Sequence, residues 1–136
     1  MSFPVTPDPA AEPARLDAAK LDVYAVALEF QALAAGLLPP RRHAVLRDQL
    51  ERASVSIVLN IAEGTGRFAA ADKARFYSIA RGSAMECGGI LDVMSARRLI
   101  STVAHRRLRT LLVRIVAMLT RLHARMAEEA ARGGRE

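Results

Sequence analysis

Ser101–Ala130 reads STVAHRRLRTLLVRIVAMLTRLHARMAEEA, thirty residues without a glycine or a proline. Within it Leu108, Leu112, Ile115, Leu119, Leu122 and Met126 recur at alternating steps of four and three. That spacing returns side chains to one stripe of an α-helix and suits no strand. Ser101 stands just ahead of the run, where its hydroxyl can accept a bond from an otherwise unpaired amide of the first turn. The spacing predicts a fourth helix from Ser101 as N-cap to about Ala130. One long apolar stripe needs other helices to cover it.

Working backwards, Phe76, Ala80, Ser83, Cys87, Ile90 and Met94 keep the same four-three rhythm, so a third helix is expected over Ala71–Arg98. A second is expected over Ala44–Glu63, its inward stripe formed by Leu46, Leu50, Ala53, Ile57 and Ile61, with Gly64 as a left-handed C-cap. The first is expected over Leu16–Leu38, with Val23, Val26, Ala27, Phe30, Ala34 and Leu37 on one face. Gly36 and the Pro39-Pro40 pair stop it, because proline removes a backbone donor and restricts the residue before it. MSFPVTPDPAAEPA precedes all of this with four prolines. The organisation expected is therefore a disordered tail over 1–15, a helical domain over 16–130 and a flexible tail over 131–136. Four rods joined by short loops pack most simply as an antiparallel up-down four-helix bundle, with handedness left open. Of the 136 residues 51% are hydrophobic and only 4% aromatic, so the core must be aliphatic, with Phe30, Phe76 and Tyr77 as its large plates.

The formal net charge of +6 is unevenly spread. Residues 1–36 hold two cations and five anions, whereas Val93–Ala127 contains eight arginines and no acid. Arg107, Arg114 and Arg121 fall seven apart, forming one line along the fourth helix, with Arg125 one turn beyond and Arg106 and Arg109 beside it. Two readings follow. The line is either a solvated face with salt bridges to the acidic first helix, or a rail for the phosphates of RNA or DNA. No aromatic interrupts it, so any recognition would be of backbone and shape.

The second helix carries a further apolar stripe, Val55, Val58, Leu59 and Ala62, off its core face. It reads as a broad core face or as a subunit interface, and the interface is the expectation taken forward.

Chemistry is harder to find. Cys87 is the only cysteine, so an internal disulfide and a thiolate cluster are excluded. His43, His105 and His123 are dispersed, and the last two lie ~27 Å apart along one helix. No nucleophile–base pair, paired carboxylates or metal set emerges, and neither an enzyme nor a cofactor is expected. The N-terminus lacks a signal-peptide layout, and charges interrupt every apolar run before membrane-spanning length, which points to the cytoplasm.

Three blocks carry a family resemblance: QLERASVSIVLNIAEGTGR at Gln49–Arg67, ARFYSIARGSAMECGGIL at Ala74–Leu91, and LLVRIVAMLTRL at Leu111–Leu122. Together they resemble the bacterial four helix bundle protein family, also called the 23S ribosomal RNA intervening-sequence protein family, over about Leu21–Met126. The most specific positions are Asn60, Glu63, Gly64 and Arg67, then Gly82, Ser83 and Glu86. The resemblance implies a bundle and a homo-oligomer, commonly a pentameric ring. Some members are encoded in insertions within ribosomal RNA genes. A distant relative, the accessory protein of diversity-generating retroelements, works with a reverse transcriptase and RNA.

The polar positions of these blocks also have structural readings. Glu63 pairs with an arginine such as Arg67 or Arg81, or else Glu63 or Arg67 contacts a ligand or nucleic acid; Glu86 pairs with Arg81 or an arginine of the second helix. The chain departs from the family where Val58-Leu59 replaces a Pro-Ser pair, which should straighten the second helix. Gly88-Gly89 replaces a better helix-forming pair, at a cost of ~1–2 kcal/mol that close helix approach is expected to offset. The function expected is a non-enzymatic homo-oligomer holding RNA or DNA through Arg106, Arg107, Arg109, Arg114, Arg121 and Arg125. The alternative is an adaptor that docks a nucleic-acid enzyme without touching nucleic acid.

Overall fold

Helices break where the sequence withdraws support for them. In the computed structural model, which describes residues 21–133, they are α1 (Asp22–Ala35), α2 (Ala44–Thr65), α3 (Ala70–Ala96) and α4 (Thr102–Gly133), with one 3-10 turn at Arg41–His43. The tail expected over 1–15, the helical start expected at Leu16 and residues 134–136 lie outside the described residues. α1 stops three residues short of Leu38: the Gly36 amide donates back to the Ala32 carbonyl, and Leu37 and Leu38 then lie against the core as a turn ahead of the prolines. At the other end α4 begins as expected, with the Ala104 amide donating to Ser101 Oγ at 3.1 Å. It continues three residues past Ala130.

Consecutive helices are neighbours and α1 closes the square against α4. Cross-bundle pairs fix the directions. Ser56 on α2 meets Ser83 on α3, while Gly64, further along α2, meets Phe76 and Tyr77, earlier on α3. Likewise Arg81 meets Thr120 and Asp92 meets Arg109. The order is therefore up, down, up, down. α2 and α4 run parallel.

Phe30, Leu50, Ile57, Ile61, Leu91, Met94, Leu108, Ile115 and Leu119 fill the centre, an aliphatic core as the composition required. α3 corrects the expected seam by one residue: Tyr77 is buried, whereas Phe76 is only half-buried, under the guanidinium groups of Arg67 and Arg75 at 4.8 and 4.6 Å from its ring centre. Ser83 is likewise half-buried, with Ala84 inside. The reason is that α3 packs against both α2 and α4, so its buried face is broader than a two-position seam.

Gly64 also corrects an expectation. It is no left-handed cap: α2 runs through it to Thr65, and no described glycine has a positive φ. A Cβ at this position would lie 2.9 Å from Phe76 Cβ and 3.1 Å from Tyr77 Cε1, so the glycine lets α2 and α3 approach. Lys73 caps α2 instead, Nζ donating to the Thr65 carbonyl at 2.7 Å. The left-handed residue is Arg98, φ 57, at the end of α3. There the Leu99 amide donates to the Met94 carbonyl and the Arg98 amide to that of Ser95, the double bond pattern of a Schellman end. No helix among the described residues is long and apolar enough to cross a membrane.

Candidate nucleic-acid and subunit interfaces

The buried stripe of α4 (Leu108, Leu111, Leu112, Ile115, Leu119) divides its surface into two flanks. Arg107, Arg114 and Arg121 are exposed on one of them and span ~21 Å at 1.5 Å per residue. A seven-residue step falls only ~20° short of two full turns, so the line drifts slowly round the helix. Arg125 continues it, and Arg121 and Arg125 border a cleft against Leu21 and Asp22 at the start of α1. Sequence spacing extends the line to Arg132, which pairs with Glu128 at 3.2 Å and was not among the expected residues. Among the described residues no carboxylate stands at ion-pair distance from Arg107, Arg114, Arg121 or Arg125. The acids of the described part of α1, Asp22 and Glu29, are not their partners.

Arg109 does not share this flank. It turns toward α3, 3.7 Å from Asp92, whose carboxylate also meets His105 Nε2 at 3.0 Å. Arg106 is exposed between the two flanks. The six arginines grouped in sequence thus form a line of four, one outlying residue and one group belonging to the α3–α4 junction.

The second apolar stripe of α2 also divides. Val58 is only 8% exposed and packs in the core, so it leaves the expected interface set. Leu59 is 61% exposed, with Val55 and Ala62 half-buried beside it. Val45, two heptads before Leu59, extends the strip and is more exposed still. Asp48, Glu51 and Arg52 border its central part. α2 is unbroken at Val58-Leu59, in keeping with the absence of proline there.

Some residues of the polar blocks bond within the bundle and others do not. Glu63 pairs with Arg67 at 2.8 Å. Asn60 Nδ2 donates to the Ser56 carbonyl at 2.8 Å, and Ser56 Oγ shares a 2.9 Å bond with Ser83 Oγ, linking α2 to α3. Glu86 is exposed and makes no ion pair among the described residues; Arg81 instead donates Nε to Thr120 Oγ1 on α4 at 2.9 Å. Gly82 is exposed, with open space where a Cβ would be. Burial, with a smaller contribution from the Glu86 charge, pushes the Cys87 thiol up to about 12, leaving it protonated and a poor nucleophile.

Two features were not anticipated. Phe68 is fully exposed in the α2–α3 connection. Between α3 and α4 lies a groove of about 640 Å³, lined by Met85, Gly88, Gly89, Val113, Val116 and Ala117 with Asp92, His105 and Arg109 at one end. Gly88 and Gly89 form part of its wall rather than a close helix contact. A Cβ on Gly89 would meet nothing within 4 Å, and one on Gly88 would only touch Leu112 Cδ1 at 4.0 Å. The expectation of close approach at this pair is overturned; the only signal in sequence was two poor helix formers in mid-helix.

A sequence model of the 23S rRNA-intervening sequence protein family matches residues 19–121, from just before α1 to the third arginine of the line. No curated protein matches the chain. The matched span contains the Asn60–Arg67 and Phe76–Glu86 blocks and the α2–α3 contact they build. The chain belongs to the 23S rRNA-intervening sequence protein family.

Proposed function

We propose that the protein is a non-enzymatic, self-assembling bundle that holds the sugar–phosphate backbone of RNA or DNA on the arginine flank of α4. The observation that carries this reading is the exposed line of Arg107, Arg114, Arg121 and Arg125, with no carboxylate at ion-pair distance among the described residues. Guanidinium groups bind phosphate through forked donors, and counterion release supplies most of the free energy. α4 carries no Phe, Tyr or Trp, so binding should follow backbone charge and shape and vary little with base sequence. In this reading the protein acts in the cytoplasm without a cofactor, and a ring, pentameric as the family resemblance implies, would repeat the line once per subunit.

Exchanging Arg107, Arg114 and Arg121 for Gln removes three charges per subunit while keeping good helix formers. Fluorescence anisotropy with a structured RNA and a duplex DNA should show affinity lost on both to a similar degree. The salt slope should fall by ~0.9 on duplex for each phosphate contact removed. Unchanged affinity would reject the arginine line as the site. A second reading has one observation in its favour: Phe68, fully exposed on a loop, suits an adaptor docking a nucleic-acid enzyme. It predicts that the parent binds neither nucleic acid even at low salt.

A further inference from the structure

The end of the bundle where α1 joins α2 and α3 joins α4 carries charge that the fold does not use. The segments that build it, Phe30–Arg47 and Val93–Ala127, contain no acid. Cross-bundle pairs set its level. Ser56 opposite Ser83 puts His43 level with Ala96, and Arg81 opposite Thr120 puts Ala96 level with His105. Arg41, Arg42, Arg97 and Arg98 stand beyond that level, in the two connections, and all four are exposed. Arg106 and Arg107 are exposed just inside it.

Stability does not call for this arrangement. A helix N-terminus is the positive end of its dipole and favours acids. Yet α2 and α4 both start at this end with no acid in the first turn, and Arg41 and Arg42 come directly ahead of α2. Only Arg97 and Arg98, beyond the C-terminus of α3, are placed to favour a helix dipole. Arg98 in turn holds a left-handed backbone, φ 57, that a glycine would adopt without strain. Among the described residues none of the six guanidinium groups has an ion-pair or hydrogen-bond partner. The surface that carries them is nevertheless firmly held. Leu37, Leu38, Leu99 and Ile100 pack against the core, and Arg47 donates to the Pro39 carbonyl at 3.0 Å, fixing the α1–α2 connection onto α2.

This end is continuous with the arginine line. Asp22 borders the same cleft as Arg121, and α1 and α4 are antiparallel, so Ala35 at the end of α1 is level with Leu108, beside Arg107. We infer that a nucleic-acid backbone held on the line continues over this end of the bundle, its next phosphates taken by Arg41, Arg42, Arg97 and Arg98. This rests on the nucleic-acid reading above and adds a second platform, which Arg106 and Arg107 join to the first. With packed helix axes about 8–10 Å apart, the two connections offer guanidinium groups on both sides of the end face. From Arg121 to the start of α4 alone is ~28 Å at 1.5 Å per residue, too long for one small phosphate compound. It suits a backbone that sets a phosphate every ~3.4 Å along each strand.

Exchanging Arg41, Arg42, Arg97 and Arg98 together for Gln tests the platform, with a duplex DNA of two helical turns as the probe in fluorescence anisotropy. Affinity should fall roughly tenfold or more, and the salt slope by ~0.9 for each phosphate contact removed. Helix content should hold, because the four residues are exposed and lie outside the α-helices. Lys at the same four positions keeps the charge and should keep most of the slope; a Lys variant as weak as the Gln variant would overturn the charge argument. If the Gln variant binds like the parent while the Arg107, Arg114 and Arg121 variant is weakened, the platform is wrong and the line stands. The reverse result rejects the line and with it the continuous path. A parent that binds no duplex even at low salt overturns both. Tripolyphosphate provides the last arm: calorimetric binding by the parent, lost in the Gln variant while duplex affinity is unchanged, would mark a site for a small phosphate and overturn the backbone path.

Discussion

The α2–α3 and α3–α4 junctions each contain helical glycines, Gly64 near the end of α2 and Gly88-Gly89 in the middle of α3, and they use them in opposite ways. At Gly64 the missing side chain is filled by Phe76 and Tyr77, and the two helices close on each other. At Gly88 and Gly89 the missing side chains leave a trough. A glycine in a helix therefore has no single meaning, and only the facing atoms tell whether its missing side chain is filled from within the fold. The α2–α3 junction is also stitched by polar bonds: Ser56 to Ser83, Thr65 Oγ1 to Tyr77 Oη at 2.9 Å, and Lys73 onto the end of α2. At the α3–α4 junction the Arg81–Thr120 bond lies at one end of the trough and the Asp92–His105–Arg109 group at the other.

Substitution should separate the two junctions by sign. The largest effect is expected at the closed one. Gly64→Leu drives a side chain into Phe76 Cβ, an atom anchored to the backbone, and should destabilise the fold by about 3 kcal/mol in urea titrations. Gly89→Ala meets open space and gains helix propensity, so it should stabilise the bundle by about 1 kcal/mol. Equal losses at the two positions would erase the distinction. The smallest effect lies in the turn that joins α3 to α4. Arg98 holds a left-handed backbone that an L side chain resists, and Arg98→Gly should gain about 0.5–1 kcal/mol, visible as a small rise in Tm.

The parts legible in sequence were those decided by one element at a time. Most of the α4 stripe was legible from its period: Leu108, Leu112, Ile115 and Leu119 are buried, while Leu122 and Met126 are half-buried and buried Leu111 lies off the expected spacing. The Ser101 cap needed only its own first turn. α3 resisted because nothing in the spacing decides between adjacent Phe76 and Tyr77 for the inner position. Gly64 was misread as a cap because a glycine near a helix end suits either role until the residue opposite is known. Val58 was grouped with Leu59 although helix geometry separates neighbours by about 100°, enough to put one in the core and the other in solvent. The same arithmetic separates Arg109 from Arg107 by about 200°, so the division of the arginines was already implicit in their numbers. The α3–α4 groove was not implicit, since its shape depends on two helices and on side chains that are absent.

Native mass spectrometry in a low-salt volatile buffer, with and without a short structured RNA, tests the central claim that a self-assembled protein holds nucleic acid on the arginine flank of α4. The account predicts a single multiple of 14.7 kDa that gains the mass of the RNA. The variant with Gln at Arg107, Arg114 and Arg121 should keep the same multiple and carry little or none. A parent seen only at 14.7 kDa, or a variant that carries RNA as fully as the parent, would contradict it.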